Sequence, residues 1–179
     1  MTILFFRWAP PARRRRGPDL PSNCEVRIWR PAADGWPASG PFLGENLIWF
    51  AFDRLGLFAS REFEELTIWR GGRLLHRQIV TPRWLRFPFM AADDLQIGAL
   101  WTAPEVRRTG FAAAAVAESL RRHARPGRSF WYLVDEENPA SIHLAKACGF
   151  RLEGKGRRTS PLGVAIIGRF ELDPRPNAA

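Results

Sequence analysis

The sequence predicts a mixed α/β (α+β) fold, with a largely antiparallel central sheet flanked by helices. Three observations carry this expectation. From residue 63 onward, strand-like and helix-like segments follow in the order β-β-β-α-β-α-β-β. The first two of those strands flank Gly71-Gly72, a two-residue hairpin signal. Residues 110–125 form one Ala-rich run closed by Pro126-Gly127, and Ala is the strongest helix former.

The elements follow in order. Residues 1–62 read as an N-terminal segment of the same domain. Within it, Ile3–Trp8 and Glu25–Trp29 are runs of β-branched and aromatic residues that predict strands. Prolines from Pro10 to Pro41 punctuate the remainder. Apolar residues at Leu47, Ile48, Phe50, Ala51 and Leu55 predict an amphipathic helix over 45–57. Residues 63–172 read as the core of the fold. Glu65–Arg70 and Arg73–Val80 form the hairpin. Asp94–Thr102 is a strand in which Gly98 marks a bulge or a close backbone approach. The helix over 110–125 ends in Arg121, Arg122 and His123, cations that suit the negative end of the helix dipole. Ser129–Val134 is a buried strand, and Pro139–Ala147 a short helix stopped by Gly149. Phe150–Leu152 and Val164–Leu172 finish as strands around Pro161-Leu162-Gly163, and residues 173–179 read as a disordered tail.

A chain of 179 residues, 46% hydrophobic and 25% charged, is long enough for one domain with a sizeable core. No stretch approaches the ~20 apolar residues of a membrane-spanning helix, so no membrane partner is expected. Cys24 and Cys148 lie far apart and make no disulfide framework. The opening residues lack a signal-peptide pattern, which points to a cytoplasmic location. His76, His123 and His143 are isolated and neither cysteine has a ligand at zinc spacing, so no metal is expected. The formal charge is +9, and 25 of the 27 basic residues are Arg. Arg holds phosphate by bidentate hydrogen bonds, although GC-rich codon usage writes the same bias. The one cluster, Arg13–Arg16, sits between prolines and reads as a solvated basic loop. The charge admits nucleic acid as a partner, but the scattered arginines do not make the basic stripe that favours one.

The chemically informative segment runs from Leu100 to Ala112, where a strand passes through a turn into a small-residue helix. A helix's first turn presents unpaired N–H groups and partial positive charge, which together hold phosphate oxygens. Gly110 and Ala112 lack bulk, and Arg107 and Arg108 supply charge. A helix merely capped by Thr109 with a close-packing Gly is the plainer alternative. At this point a resemblance emerges. Arg107-x-x-Gly110-x-Ala112 resembles the pyrophosphate-binding motif, Arg/Gln-x-x-Gly-x-Gly/Ala, of the GCN5-related N-acetyltransferases (GNAT). A second element follows, with Val134 to Phe150 similar to the family's strand, then Asn-x-x-Ala/Ser, then a short helix ending in Gly-Phe.

The resemblance implies acetyl-CoA as co-substrate, a small-molecule primary amine as acceptor, and direct attack of the amine on the thioester. It further implies cofactor-binding roles for Leu100, Trp101 and Thr102 along the pantetheine arm. Arg107, Arg108, Thr109, Gly110, Phe111 and Ala112 would hold the diphosphate, and Asn138 and Ser141 would meet the arm where two parallel strands splay. Two departures concern catalysis. The position of the family's frequent acid tyrosine, seven residues after the Asn, is Ala145, so catalysis proceeds without that acid, or with Ser141, His143 or a water protonating the departing thiolate. The frequent Glu base is replaced by Gln96, which leaves Asp94, on the same strand face, as the leading base, with Asp93, His76 and Glu45 as others. Asp93-Asp94 equally reads as a polar turn opening the strand.

Trp69, Trp84, Phe87, Phe89 and Trp101 either line an acceptor pocket or belong to the core. The segment Arg86-Phe87-Pro88-Phe89-Met90, followed by Asp94-Leu95-Gln96-Ile97-Gly98, resembles parts of acetyltransferase-like proteins associated with bacterial surface polysaccharides. An amino sugar, nucleotide-linked, is the acceptor this implies. The rival expectations are a CoA-binding module that has lost catalysis, motivated by Ala145 and Gln96, and a basic nucleic-acid-binding protein. A homodimer is compatible with the sequence.

Overall fold

The computed structural model describes residues 1–10, 20, 22–37, 40–159 and 168–173. The strands are β1 (Thr2–Trp8), β2 (Glu25–Trp29), β3 (Glu64–Arg70), β4 (Arg73–Pro82), β5 (Leu95–Thr102), β6 (Phe130–Asp135), β7 (Arg151–Thr159) and β8 (Arg169–Leu172). The helices are α1 (Pro31–Asp34), α2 (Leu43–Arg54), α3 (Phe111–His123) and α4 (Pro139–Ala147). The described strands form one sheet in the order β2-β3-β4-β5-β6-β1-β7-β8. Every neighbouring pair is antiparallel except β5–β6. The fold is the mixed, mostly antiparallel one expected.

Local chemistry explains each junction. The β3–β4 hairpin turns on Gly71 (φ 54°) and Gly72 (φ 76°), both left-handed as a type I′ turn requires. Helix α4 opens with Pro139 at its first position, and the Asn138 side-chain oxygen accepts the Ser141 N–H at 3.1 Å. In β1, Ile3, Leu4, Phe5 and Phe6 are all buried, because both faces of the sheet are covered there. Leu4 and Phe6 join Val80, Leu95, Ile97, Phe130 and Tyr132 beneath α3 and α4. Ile3 and Phe5 join Trp84, Phe87, Met90 and Trp131 on the other face, with Trp49 and Phe52 of α2 packed against them.

Arg77 ties α2 to the sheet. This β4 guanidinium is 2% exposed. It donates to Glu65 Oε1 and Glu45 Oε2 at 2.5 Å each and to Asn46 Oδ1 at 3.0 Å.

Several boundaries differ from expectation. Helix α2 begins at Leu43 and ends at Arg54, earlier than predicted. The short α1 carried no periodic signal. β7 runs to Thr159 rather than ending at Leu152, because its polar residues pair with β1 and β8 instead of building core. The Arg13–Arg16 run, the turn at 161–163, residues 164–167 of the last predicted strand, and 174–179 of the tail lie outside the described residues.

Candidate active site

The site begins where two strands part. β5 and β6 run parallel and pair only at Leu95–Phe130 and Gln96–Trp131. Two β4 residues, from Arg77 to Ile79, span three on β5, from Trp101 to Gly98, so β5 carries one extra residue. Ala99 absorbs it at φ 49°, in the manner of a β-bulge. Before the bulge, Gln96 and Gly98 face the α2 side; after it, Leu100 and Thr102 face α3. A Cβ on Gly98 would run into the Gln96 amide. Of the two expectations for Gly98, the bulge is present one residue on, at Ala99, while the group crowding Gly98 is the Gln96 side chain rather than another backbone. Past Gln96 the β6-facing edge of β5 leaves its paired strand, and an extended ligand can add there as a strand would.

At the far end of β5 the chain makes a short 3₁₀ turn, Pro104–Val106, before α3. Arg107 Nε donates to Thr102 O at 3.1 Å, and Thr109 Oγ1 donates to Val106 O at 2.6 Å. Arg108 (φ 62°) and Gly110 (φ 92°) are left-handed, so successive amides curl into a concavity suited to anions. No atom lies within 4 Å of where a Gly110 Cβ would stand. The glycine is required by backbone conformation, and the space beside it is open. No side chain caps α3, so its first-turn N–H groups remain available to an anion. Beneath the turn, fully buried His76 places Nδ1 2.8 Å from Thr102 Oγ1, and burial lowers its pKa from 6.5 to about 4.

On the α2 side of the splay lies a cleft of about 320 Å³. Its walls include Gln96 and Gly98 of β5, Thr81 of β4, Leu133 and Asp135 of β6, Trp49 of α2, and Trp84, Arg86 and Phe87 of the loop between β4 and β5. Arg158 of β7 and Phe170 of β8 complete it. A larger hollow of about 470 Å³ lies between Gly56–Ala59, Arg83–Leu85, Pro88 and Arg169, but it includes no residue of β5 or β6.

Residues 68–150 match the acetyltransferase (GNAT) family. That match covers just under half of the chain. A GNAT-family structure from Novosphingobium aromaticivorans is similar at TM-score 0.53 and 16% identity, over 86% of this chain and 60% of its own. A Drosophila protein reaches TM-score 0.54 at 22% identity, over 86% and 48%. A tandem GNAT protein from the clavulanic acid biosynthesis pathway reaches 0.51 at 14% identity, over 84% and 50%. At these identities the likeness is one of fold. The chain thus spans about half to three fifths of the length of these structures. No curated protein matches the sequence.

Within the matched region the predicted cofactor residues Leu100, Trp101, Thr102, Arg107, Arg108, Thr109, Gly110, Phe111 and Ala112 form one continuous path from the bulge to the first turn of α3. Asn138 and Ser141 stand at the first turn of α4, beyond the end of β6. The Asn138 oxygen is used by the cap, leaving its NH₂ to reach a ligand. Phe111 is buried against Leu66 and Ile68, so only its backbone can serve.

The catalytic candidates separate. Asp94 is buried, and its carboxylate accepts from Ala91 N at 3.0 Å and from Ser129 N and Trp131 Nε1 at 2.9 Å each. Three fixed donors make it the clasp of a strand-opening turn, not a base poised for substrate. Asp93 hydrogen-bonds Arg125 and Arg128, which hold its carboxyl down at about 2. His76 is sealed and Glu45 is paired to Arg77, so neither reaches the cleft. Gln96 lines it. His143 is exposed on α4, whereas Ser141 is half-buried and adjoins Tyr132, whose phenol is pushed up by burial while Ser141 pulls the other way. Ala145 is core.

Of the five candidate pocket aromatics, Trp84 and Phe87 line the cleft. Phe89 packs between Phe5 and Trp131, both at 4.9 Å. Trp69 stacks with Arg27 at 4.7 Å, and Trp101 meets Phe42 at 6.0 Å. Sequence reasoning missed Asp135, Thr81, Arg158, Trp49 and Phe170 as lining residues, whereas Arg86 lies in the 86–90 segment it singled out. Only Asp135, ending the strand that precedes the Asn motif, carried a readable signal. Among the described residues no cluster of His, Cys, Asp and Glu is arranged to hold a metal, and no helix is long and apolar enough to cross a membrane.

Proposed function

We propose that this chain transfers an acetyl group from acetyl-CoA to the primary amine of a small molecule in the cytoplasm, with a nucleotide-linked amino sugar as the first acceptor to try. The observation that carries the proposal is the β5–β6 pair, which joins for two residues and then parts. At the end of β5 stands the uncapped, Gly110-led N-terminus of α3. The pantetheine arm lies along β5 from the bulge to Thr102, and the diphosphate sits on the amides of 107–112, with Arg107 and Arg108 beside it. The amine enters from the cleft.

The amine nitrogen forms a bond to the acetyl carbon as the carbon–sulfur bond breaks. Asp135, the carboxylate lining the cleft, takes the ammonium proton through a water that Gln96 orients. Backbone N–H groups at the bulge face the developing oxyanion. Ser141, backed by Tyr132, returns a proton to sulfur. A thiolate of pKa near ~8.5 needs little help to leave, which makes the loss of a phenol at position 145 tolerable.

The test is thiol release from acetyl-CoA with a panel of amines, alongside calorimetry of CoA binding. Gly110→Glu places charge and bulk in the open space and lowers CoA affinity by about tenfold or more. Gly110→Asn, which tolerates positive φ, separates backbone strain from charge. Undiminished CoA affinity in a folded Gly110→Glu protein sinks the diphosphate assignment. CoA binding without turnover of any amine supports instead a CoA-binding module that has lost catalysis, the alternative that Ala145 favours.

A further inference from the structure

Strand β5 and helix α3 are joined beneath the surface by a buried polar column. Fully buried Gln78 of β4 donates from Nε2 to Ala115 O at 3.0 Å and to Ser119 Oγ at 2.7 Å, both on α3. With its NH₂ committed to the helix, its Oε1 faces His76 Nε2 at 3.4 Å. That oxygen can only accept, so the ring proton sits on Nε2, and Nδ1 accepts from the Thr102 hydroxyl at 2.8 Å. Thr102 closes the column. It is the last residue of β5 and lies opposite His76 in the β4–β5 register. Its carbonyl accepts from Arg107 Nε at 3.1 Å. His76, Gln78 and Ser119 are each 0% exposed.

The column stands where the strand most needs a fixed end. β5 bulges at Ala99, and a bulge bends its strand and disrupts the ladder locally. Beyond it, β5 pairs with β4 at Arg77–Trp101 and His76–Thr102. Apolar residues of matching shape could fill the space of the column at comparable stability. They would not supply direction, because hydrophobic contact is non-directional, whereas a fully satisfied polar network specifies one arrangement. His76 is sealed from solvent, so it acts on a ligand through Thr102 and α3, without touching it.

We propose that His76 is a positioning residue for CoA, holding the end of β5 at a fixed offset from α3 so that both halves of one CoA molecule engage at once. This rests on the reading that the pantetheine arm lies along β5 and the diphosphate on the first turn of α3. A ligand that spans two sites outbinds either half only when their separation matches its own span. A displacement of about 1 Å is enough to be costly. Disturbing the column weakens the whole ligand more than it weakens one half.

The test compares CoA, which spans both elements, with ADP, which carries a diphosphate and no pantetheine arm. Both are measured on the full chain by calorimetry, ADP by displacement of CoA, with folding checked by urea unfolding. His76→Leu removes both ring nitrogens and weakens CoA by about tenfold while ADP stays within about twofold. His76→Asn, close to leucine in shape, places an amide oxygen within reach of the Thr102 hydroxyl and recovers most of the loss. Should His76→Leu fail to fold, Thr102→Val removes the same bond from the half-buried end of the column and shows the same selective loss. Unchanged CoA affinity, an equal loss for CoA and ADP, or a His76→Asn protein as weak as His76→Leu overturns the proposal alone. A wild-type protein that does not bind ADP overturns the cofactor reading beneath it, and the proposal with it.

Discussion

Protonation of His76 is the perturbation whose size the geometry defines best. The ring is 0% exposed, with Nδ1 2.8 Å from Thr102 Oγ1 and Nε2 3.4 Å from Gln78 Oε1. Gln78 gives its NH₂ to Ala115 O at 3.0 Å and Ser119 Oγ at 2.7 Å, so its oxygen faces the ring. The single ring proton therefore sits on Nε2, and Nδ1 accepts from the Thr102 hydroxyl. Burial lowers the ring's pKa from 6.5 to about 4. Between those values the unfolded chain binds a proton that the folded one refuses, so stability falls as pH drops through that window and is unaffected above it. Acidification from pH 7 to 4.5 should remove about 2.5 kcal/mol through this ring alone. The assay is urea unfolding at both pH values for the wild type and His76→Gln. Asp93, held near about 2 chiefly by its hydrogen bond from Arg125, with Arg128 adding, titrates below the window in both proteins. Comparing the two therefore isolates His76. Equal losses of stability in the two proteins would refute the reasoning.

Asp94→Asn should cost about 2–3 kcal/mol, because an amide cannot accept from all three donors now facing the carboxylate. The pH–rate profile of the surviving enzyme should keep its shape, and a displaced limb would restore Asp94 as the base. Asp135→Asn keeps an oxygen for the Glu137 N–H and should lower kcat/KM by about 10²–10⁴ with CoA affinity unchanged. A rate within twofold of wild type would remove Asp135 from catalysis. Arg77→Met strands buried Glu65 without its cation and should destabilise the fold by about 3–5 kcal/mol, read as a lowered urea midpoint at constant slope.

Much of this molecule was legible in its sequence where local chemistry decides the outcome. Gly71-Gly72 needs no tertiary context to make a turn, the Ala run of α3 needs none to be a helix, and Asn138-Pro139 opens α4 at the predicted residue. The path from Leu100 to Ala112 was readable because its residues are contiguous in sequence. The cleft beside Gln96 was not, since it draws single residues from α2, the β4–β5 loop and strands as distant as β1 and β8, and no spacing rule connects Trp49 with Arg158. Asp94 shows the converse limit. Alternation placed it on the same strand face as Gln96, but only three-dimensional structure reveals that Ser129 and Trp131 occupy its oxygens. The seat of β1 was equally hidden, because an apolar run predicts a strand without naming its neighbours.

That seat has a consequence for how the chain matures. Thr2–Trp8 is inserted between β6 and β7, pairing with residues 130–135 on one edge and 151–157 on the other. It must find partners more than a hundred positions further along the chain before its four buried side chains are covered. Until then the sheet is divided through its middle, with β6 exposing an unpaired edge beside an apolar surface. Such long-range closure is slow, and the waiting intermediate is prone to pair with the wrong strand. A β1 peptide supplied in trans is the natural competitor for that slot, and a bulky fusion ahead of Thr2 should impair the yield of folded protein more than one placed after Asp173.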